Sequence, residues 1–347
     1  MFINFFSAIR GISTFRLYVI VFAFSISFLH SSDGKIIKPI PPITQDGLVL
    51  HFDLNGTLML FDSIKAVYGE YALLSLLSES TLAIWEQGGE KVSFKEYVFT
   101  KLLPGDKSDI ALKKQRQKMI SQFVSWIEQN NPELCQEVLS KYEYLKQTFI
   151  DPASNQIKKS IFPSFYVLLE KLQACQISYK LILCTFGGDL NDAAGLIENT
   201  CTGVRFSHYG KFEGCQLKLN DDEKLSDAAS IFQLYQNSIG HIAIFNDWKE
   251  WNADGELGRS GKPFLFDSSA SHPLSLFFDD NVTGKSLDIV RPIDIAGQAA
   301  SSPDLFGRCM FRVDTMEAIM DKDYYVKLVA QALLQNGYHD MYIKMTQ

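Results

Sequence analysis

The sequence predicts an α/β fold: a mainly parallel sheet covered by helices on both faces, with a helical insert after the first strand. Three observations predict it. Short apolar runs such as Leu48-Val49-Leu50, Tyr179–Thr185 and Leu274–Phe278 alternate with longer stretches of helical periodicity. Runs apolar on both faces belong to sheets buried on both faces. Three of them stop at polar residues, at Asp53, Thr185 and Asp279-Asp280, and ligands bind at the carboxyl ends of the strands in such sheets.

The elements follow in order. In residues 1–32, Arg10 and Arg16 lead into thirteen uncharged residues, Leu17–Leu29, and no acid occurs before Asp33. A basic start and a short apolar centre describe a signal peptide, with Ser25-Ile26-Ser27 as the cleavage site. The protein is then secreted or periplasmic. The alternative is a membrane-anchored protein whose N-terminal segment contacts the membrane, which needs Gly11–Phe15 to reach the ~20 apolar residues of a spanning helix. Residues 33–46 form a linker stiffened by Lys38-Pro39-Ile40-Pro41-Pro42.

The core is predicted over 47–62 and 151–347, with the insert at 63–150. The first strand covers 47–54. The insert carries helices at Tyr71–Ser80, Ser93–Leu103 and Ser108–Gln129, and Pro132 and Pro152 punctuate its end. A helix at 163–175 leads to the strand Tyr179–Thr185 and a helix at 189–199. A hairpin or short strands around Gly210 fill 203–219, and a helix at 224–239 feeds the strand His241–Phe245. Short strands follow at 263–266 and 274–278, edge strands at 288–290 and 309–313, and a C-terminal helix at 322–335 closes the chain. No repeat is present.

At 347 residues, 46% hydrophobic and a net charge of −7, the chain gives no electrostatic reason to expect nucleic acid as a partner. The basic run Lys113–Lys118 reads as a solvated helix face. Six cysteines without CxxC or Cys/His spacing give no sequence signal of a zinc site. Cys184 reads as a core residue, and Cys201 and Cys215 are candidates for a disulfide in an oxidising compartment.

The polar strand ends have a shared chemistry. Asp53 is a carboxylate on a strand tip, followed by a glycine turn. The adjacent acids Asp279 and Asp280 repel each other unless a cation sits near them, and hard carboxylates suit Mg²⁺. Thr57, Thr185 and the backbone amides near Gly56 and Gly187-Gly188 donate to an anion. A nucleophilic carboxylate, a cation and anion donors are the equipment of phosphoryl transfer through an aspartyl phosphate.

These motifs resemble the haloacid dehalogenase-like (HAD) superfamily over roughly residues 47–295. Its first motif, a strand followed by Asp-x-Asp-x-Thr, is matched by Asp53-Leu54-Asn55-Gly56-Thr57. Its second, a strand ending in Thr or Ser, is matched by Leu181–Thr185. Its fourth, a strand ending in an acidic pair, is matched by Phe277-Phe278-Asp279-Asp280. The third-motif lysine is assigned to Lys262, with Lys218 and Lys224 as rivals. The resemblance implies a Rossmann-like core, a C1-type helical cap in the insert, and a Mg²⁺-dependent phosphohydrolase acting on a small phosphorylated molecule. Asp53 would attack phosphorus, and Thr57 would orient Asp53 or contact the phosphoryl group. Thr185, Gly187 and Lys262 would bind the phosphoryl group. Asp53, the Asn55 carbonyl, Asp279 and Asp280 would hold Mg²⁺. Tyr68, Trp85 and Trp126 are candidates for the inner face of the cap, although aromatics at helical spacing are more often core. Asp247 is a candidate extra ligand or cap contact, against a surface-loop reading.

Asn55 departs from the pattern. The superfamily's phosphatases carry an aspartate there that protonates the leaving oxygen and later activates water, and an amide does neither. His51, Asp62, His241 and His272 are candidate stand-ins. Two alternatives therefore stand beside the phosphohydrolase: a phosphoryl-ligand or partner-binding protein that kept the scaffold, and a phosphotransferase that benefits from a slowly hydrolysed intermediate.

Overall fold

The structure, a computed structural model, describes the chain from residue 47 onward except 61–68, 107, 221–222, 257, 270–271, 284–288, 297–299 and 301. The expected signal segment, the linker, Asp62 and Tyr68 lie outside the described residues. Among the described residues no helix is long and apolar enough to cross a membrane.

Strand β1 (Leu48–Phe52) opens the core, and every one of its residues is buried. The insert follows: α1 (Glu70–Ser80), the hairpin strands β2 (Leu82–Ile84) and β3 (Lys91–Ser93), α2 (Phe94–Tyr97), α3 (Ile110–Ser121), α4 (Phe123–Asn130) and α5 (Pro132–Phe149). Back in the core come α6 (Pro163–Ala174), β4 (Tyr179–Thr185), α7 (Leu190–Thr200), β5 (Phe206–Glu213), β6 (Gln216–Leu219), β7 (Lys224–Leu225), α8 (Ala228–Asn237), β8 (His241–Phe245) and α9 (Trp248–Ala253). The chain ends through β9 (Lys262–Phe266), β10 (Leu274–Asp279), β11 (Val290–Asp294), α10 (Ser302–Leu305), β12 (Met310–Arg312), α11 (Thr315–Met320), α12 (Tyr324–Gln335) and α13 (His339–Thr346).

The central sheet has eight strands in the order β12-β10-β1-β4-β8-β5-β6-β7. The first six are parallel, and β6 and β7 add antiparallel at one edge. Helices cover both faces, an architecture compatible with a Rossmann-like fold. The even residues of β1, Leu48, Leu50 and Phe52, join the larger apolar cluster, while Val49 joins a smaller one with Ile182, Ile231, Phe232 and Tyr235. Burying each such side chain contributes about 1.5–3 kcal/mol, so a strand apolar on both faces settles in the middle of the sheet.

Met59 and Ile161 form an antiparallel bridge, and Phe162 N–H donates to the Leu58 carbonyl at 2.7 Å. The insert therefore leaves and re-enters the core at one place. Its helical character agrees with the sequence, with two differences. The predicted helix 108–129 breaks at Gln122 into α3 and α4, and a hairpin occupies 82–93, where Gly88-Gly89 supply the turn. Trp85 and Trp126 pack on each other and on Phe94, with ring centroids 4.7–5.7 Å apart, and Trp85 Nε1 donates to the Val92 carbonyl. They are the insert's own aromatic core.

Other expectations are corrected. The hairpin turns at Gly214 (φ 61°), and Gly210 lies within β5 opposite Leu219, where an added Cβ would meet the Lys218 carbonyl at 2.9 Å. The helix expected at 224–239 starts at Ala228 because the Asp227 carboxylate caps it, accepting from Ser230 N–H. Strand β9 pairs in parallel with β11 in a separate two-stranded sheet, not in the main one. The segment after β8 is not a loop: Asp247 caps α9 and pairs with Lys211 at 3.3 Å. The helix α13 follows the expected last helix. Cys201 and Cys215 are free thiols, the first half-buried against the core after α7 and the second exposed in the β5–β6 turn.

Candidate active site

The parallel order puts the carboxyl ends of β10, β1, β4 and β8 side by side. Asp53, one residue past β1, is fixed by its backbone N–H to the Phe278 carbonyl at 3.0 Å. Asp279 ends β10 and is fully buried. Lys262, the first residue of β9, reaches in from the second sheet and is also buried. Its Nζ lies 2.6 Å from Asp53 Oδ1 and 2.7 Å from Asp279 Oδ2. The rivals Lys218 and Lys224 face each other across β6 and β7 at the far edge of the sheet.

This trio sets the local electrostatics. Burial, with Asp279 alongside, pushes the Asp53 carboxyl up to about 6 against the opposing pull of Lys262. Burial alone would weaken the Lys262 ammonium, but Asp279 and Asp53 hold it above its ordinary value. The ring of Phe186, just past β4, lies under Nζ at 5.2 Å and stacks on Trp251.

Asp280 completes an acidic group in which oxygens of Asp53, Asp279 and Asp280 lie within 4.8 Å of one another. Hard carboxylates this close suit a divalent cation, which would relieve the repulsion that raises Asp53. Thr57 is buried and its Oγ1 accepts from the Asp280 backbone N–H at 3.0 Å. Its hydroxyl therefore ties the glycine turn to the acidic pair. The Thr57 carbonyl accepts from the Tyr325 hydroxyl, and the Gly56 carbonyl from Thr315 Oγ1, so two C-terminal helices clamp the turn. Gly56 has φ 81°, and an added Cβ would meet Asp280 Oδ2 at 2.5 Å. Gly56→Ala is expected to cost about 1–3 kcal/mol of stability through backbone strain and to displace Asp280. Urea unfolding with and without Mg²⁺ checks both effects.

On the other side, Thr185 ends β4, and its Oγ1 accepts from Gly187 N–H at 3.0 Å. Asn55 Nδ2 donates to Asp189 Oδ2 at 3.2 Å. Asp189 is buried at the start of α7, where an aspartate carries no sequence signal beyond that of a helix end. Asn246, one residue past β8, is tied to the Thr185 carbonyl by its backbone N–H at 2.8 Å. Its buried side-chain amide has no hydrogen-bond partner among the described residues. The signal for Asn246 was there, since His241–Phe245 is another apolar run that stops at a polar residue.

The histidine stand-ins lie elsewhere. His51 is sealed among the rings of Tyr235, Phe264 and Phe277. His241, at the opposite end of the sheet, accepts from Leu181 N–H through Nδ1, and His272 pairs with Asp267 before β10. Burial lowers His51 and His241 to about 3, so both stay neutral near pH 7 and are unsuited to acid–base work. Below the ordinary histidine pKa the unfolded chain takes up protons that the native protein refuses, so stability falls as pH falls. Between pH 7 and 5 each histidine should remove about 2 kcal/mol. Asp53 works the other way between about 6 and 4. Comparing His241→Gln with the parent in urea unfolding at pH 7 and 5 isolates the histidine, and the variant should show the flatter dependence.

The arrangement can present a carboxylate nucleophile, neutralise an anion with Lys262, donate from Thr185 and backbone amides, and hold a cation on Asp53, Asp279 and Asp280. No known protein family, curated protein or solved structure matches the chain, so the fold and this geometry carry the functional reading.

Proposed function

We propose that this protein is a HAD-like phosphohydrolase that acts on a small phosphorylated molecule through an aspartyl phosphate. One observation carries the reading: the buried Lys262 ammonium bridges Asp53 and Asp279, with Asp280 beside them, at the carboxyl edge of a parallel sheet. In the reaction, an Asp53 carboxylate oxygen bonds to phosphorus. The phosphorus–oxygen bond to the leaving group breaks and its electron pair departs with that oxygen. Lys262 and Thr185 stabilise charge on the phosphoryl oxygens. Asp53, Asp279, Asp280 and the Asn55 backbone carbonyl would hold Mg²⁺, which supplies Lewis-acid neutralisation of the phosphoryl group when bound. The helical insert acts as a C1-type cap that shields the site from water and selects substrate.

Asn55 sets the substrate class. It cannot protonate a leaving oxygen, help typically worth about 10²–10⁴-fold. Leaving groups stable as anions need no such help, so acyl phosphates and anhydrides should be favoured over alkyl phosphate esters. A hydrolysis panel of acetyl phosphate, pyrophosphate and alkyl phosphates, with and without Mg²⁺, tests this. The reading expects Mg²⁺-dependent turnover biased to acetyl phosphate. Asn55 also supports a second reading, a phosphoryl-ligand binder whose chemistry has lapsed. That reading expects no turnover in the native protein, turnover in Asn55→Asp, and a Mg²⁺-dependent thermal shift with beryllium fluoride in both.

A further inference from the structure

We propose that Tyr325 and Thr315 are positioning residues, which hold the nucleophile's turn at its working distance from the acidic pair. The inference rests on the phosphohydrolase reading above and extends its machinery beyond residue 295, where the HAD-like stretch ends.

The site has a spreading force built into it. Oxygens of Asp53, Asp279 and Asp280 lie within 4.8 Å of one another, and like charges this close repel. Lys262 ties two of these side chains together. The backbones that carry them need ties of their own, because Asp53 lies just past β1 and Asp280 just past β10, where both chains leave the sheet.

Hydrogen bonds from the C-terminal segment supply them. Val313 N–H donates to the Asp279 carbonyl at 3.0 Å, and Arg312 Nε to the Asp280 carbonyl at 3.3 Å. Thr315 Oγ1 donates to the Gly56 carbonyl at 2.6 Å, and the Tyr325 hydroxyl donates to the Thr57 carbonyl. The first pair grips the acidic turn, and the second grips the nucleophile's turn. One segment therefore holds both, and Thr57 Oγ1 joins the two turns directly by accepting from Asp280 N–H. The Tyr325 ring acts on the strands as well. It is fully buried and meets Phe52 and Phe278 edge-on, with centroids 5.3 and 5.9 Å away. Those two rings stack on each other at 4.6 Å, and they immediately precede Asp53 and Asp279.

The segment is itself braced. Asp314 caps α11 by accepting from Glu317 N–H at 3.0 Å, and its own N–H donates to the Tyr324 hydroxyl at 2.7 Å. From α6, Ser164 Oγ donates to the Ala318 carbonyl, and Phe165 packs on the Tyr325 ring. A nucleophile misplaced by about 1 Å loses on the order of 10²-fold in rate. Releasing one of the two carbonyls loosens the turn without unseating it, so the loss should be on the order of 10-fold. It falls on the chemical step, because Lys262 and Thr185 meet the phosphoryl group from β9 and β4.

The test compares the parent with Tyr325→Phe, Thr315→Val and Thr315→Ser. Acetyl phosphate turnover is measured with Mg²⁺, and hydrogen exchange is read by mass spectrometry without it. Tyr325→Phe keeps the ring and removes only the hydroxyl. The proposal expects Tyr325→Phe and Thr315→Val each to lower kcat on the order of 10-fold, with KM within about twofold of the parent. Exchange should quicken at residues 53–58 and 279–282 and stay parent-like elsewhere. Thr315→Ser keeps a hydroxyl and should recover most of what Thr315→Val loses, and this pair decides the matter if Tyr325→Phe does not fold. A merely structural role would lower the melting temperature and quicken exchange throughout the protein while kcat stayed put. Parent-like kcat in folded Tyr325→Phe and Thr315→Val overturns this inference and leaves the phosphohydrolase reading standing. A parent that turns nothing over overturns both.

Discussion

Asp53→Asn is expected to abolish turnover of acetyl phosphate while leaving the protein folded and no less stable. Removing a covalent nucleophile costs on the order of 10⁴–10⁶-fold in rate, because the amide oxygen cannot form the acyl phosphate. The stability expectation has a separate cause. Burial and Asp279 raise the Asp53 carboxyl to about 6, so the folded state holds this carboxylate ionised at a cost. A neutral amide of the same shape removes the repulsion with Asp279 while Lys262 keeps its contact to Asp279 at 2.7 Å. Thermal melts should therefore show Asp53→Asn melting at or above the parent temperature, alongside a progress curve with no phosphate release. Retained turnover would remove Asp53 from the nucleophile's role and with it the aspartyl-phosphate reading.

Lys262→Met should have the largest effect on stability. Breaking a buried ion pair by removing one partner costs about 3–5 kcal/mol, because the other charge is left uncompensated. Here two carboxylates are left, Asp53 and Asp279, with Asp280 nearby. A cation that binds only the folded protein stabilises it by mass action, by about 2.7 kcal/mol at a hundred times its dissociation constant. Mg²⁺ should accordingly rescue Lys262→Met more than it stabilises the parent. Urea titrations of both proteins with and without Mg²⁺ measure the difference. Equal Mg²⁺ effects on the two would argue against the carboxylates as its ligands.

The strand tips were the most legible part of this molecule. Apolar runs that stop at Asp53, Thr185 and Asp279 carry both their structure and their chemistry in local sequence, and parallel order alone brings them together. Lys262 was legible by its distance from the acidic pair, and the sheet that its strand joins was not. A short apolar run reads the same whether it joins an eight-stranded sheet or a two-stranded one, since only its partner differs. Gly210 and Gly214 both lie in the hairpin region, and only the second takes the left-handed φ a turn requires. The start of α8 was readable from Asp227, whose carboxylate meets Ser230 three residues on. Asp189 was hidden because local rules assign it to its own helix. Its contact is with Asn55, 134 residues away, and no window on the sequence spans that distance.

The place of β1 in the sheet bears on how the chain is made. Leu48–Phe52 pairs on one side with β4 and on the other with β10. Its second partner, beginning at Leu274, is synthesised about 225 residues later, roughly 10–45 s at a translation rate of about 5–20 residues per second. Throughout that interval a strand that the native protein buries at every residue waits at the ribosome with an open edge, which is the condition for aggregation. Chains that stop before Leu274 never close that edge. Synthesis of this protein therefore favours a holding chaperone engaged early, and C-terminal truncations should collect in the insoluble fraction.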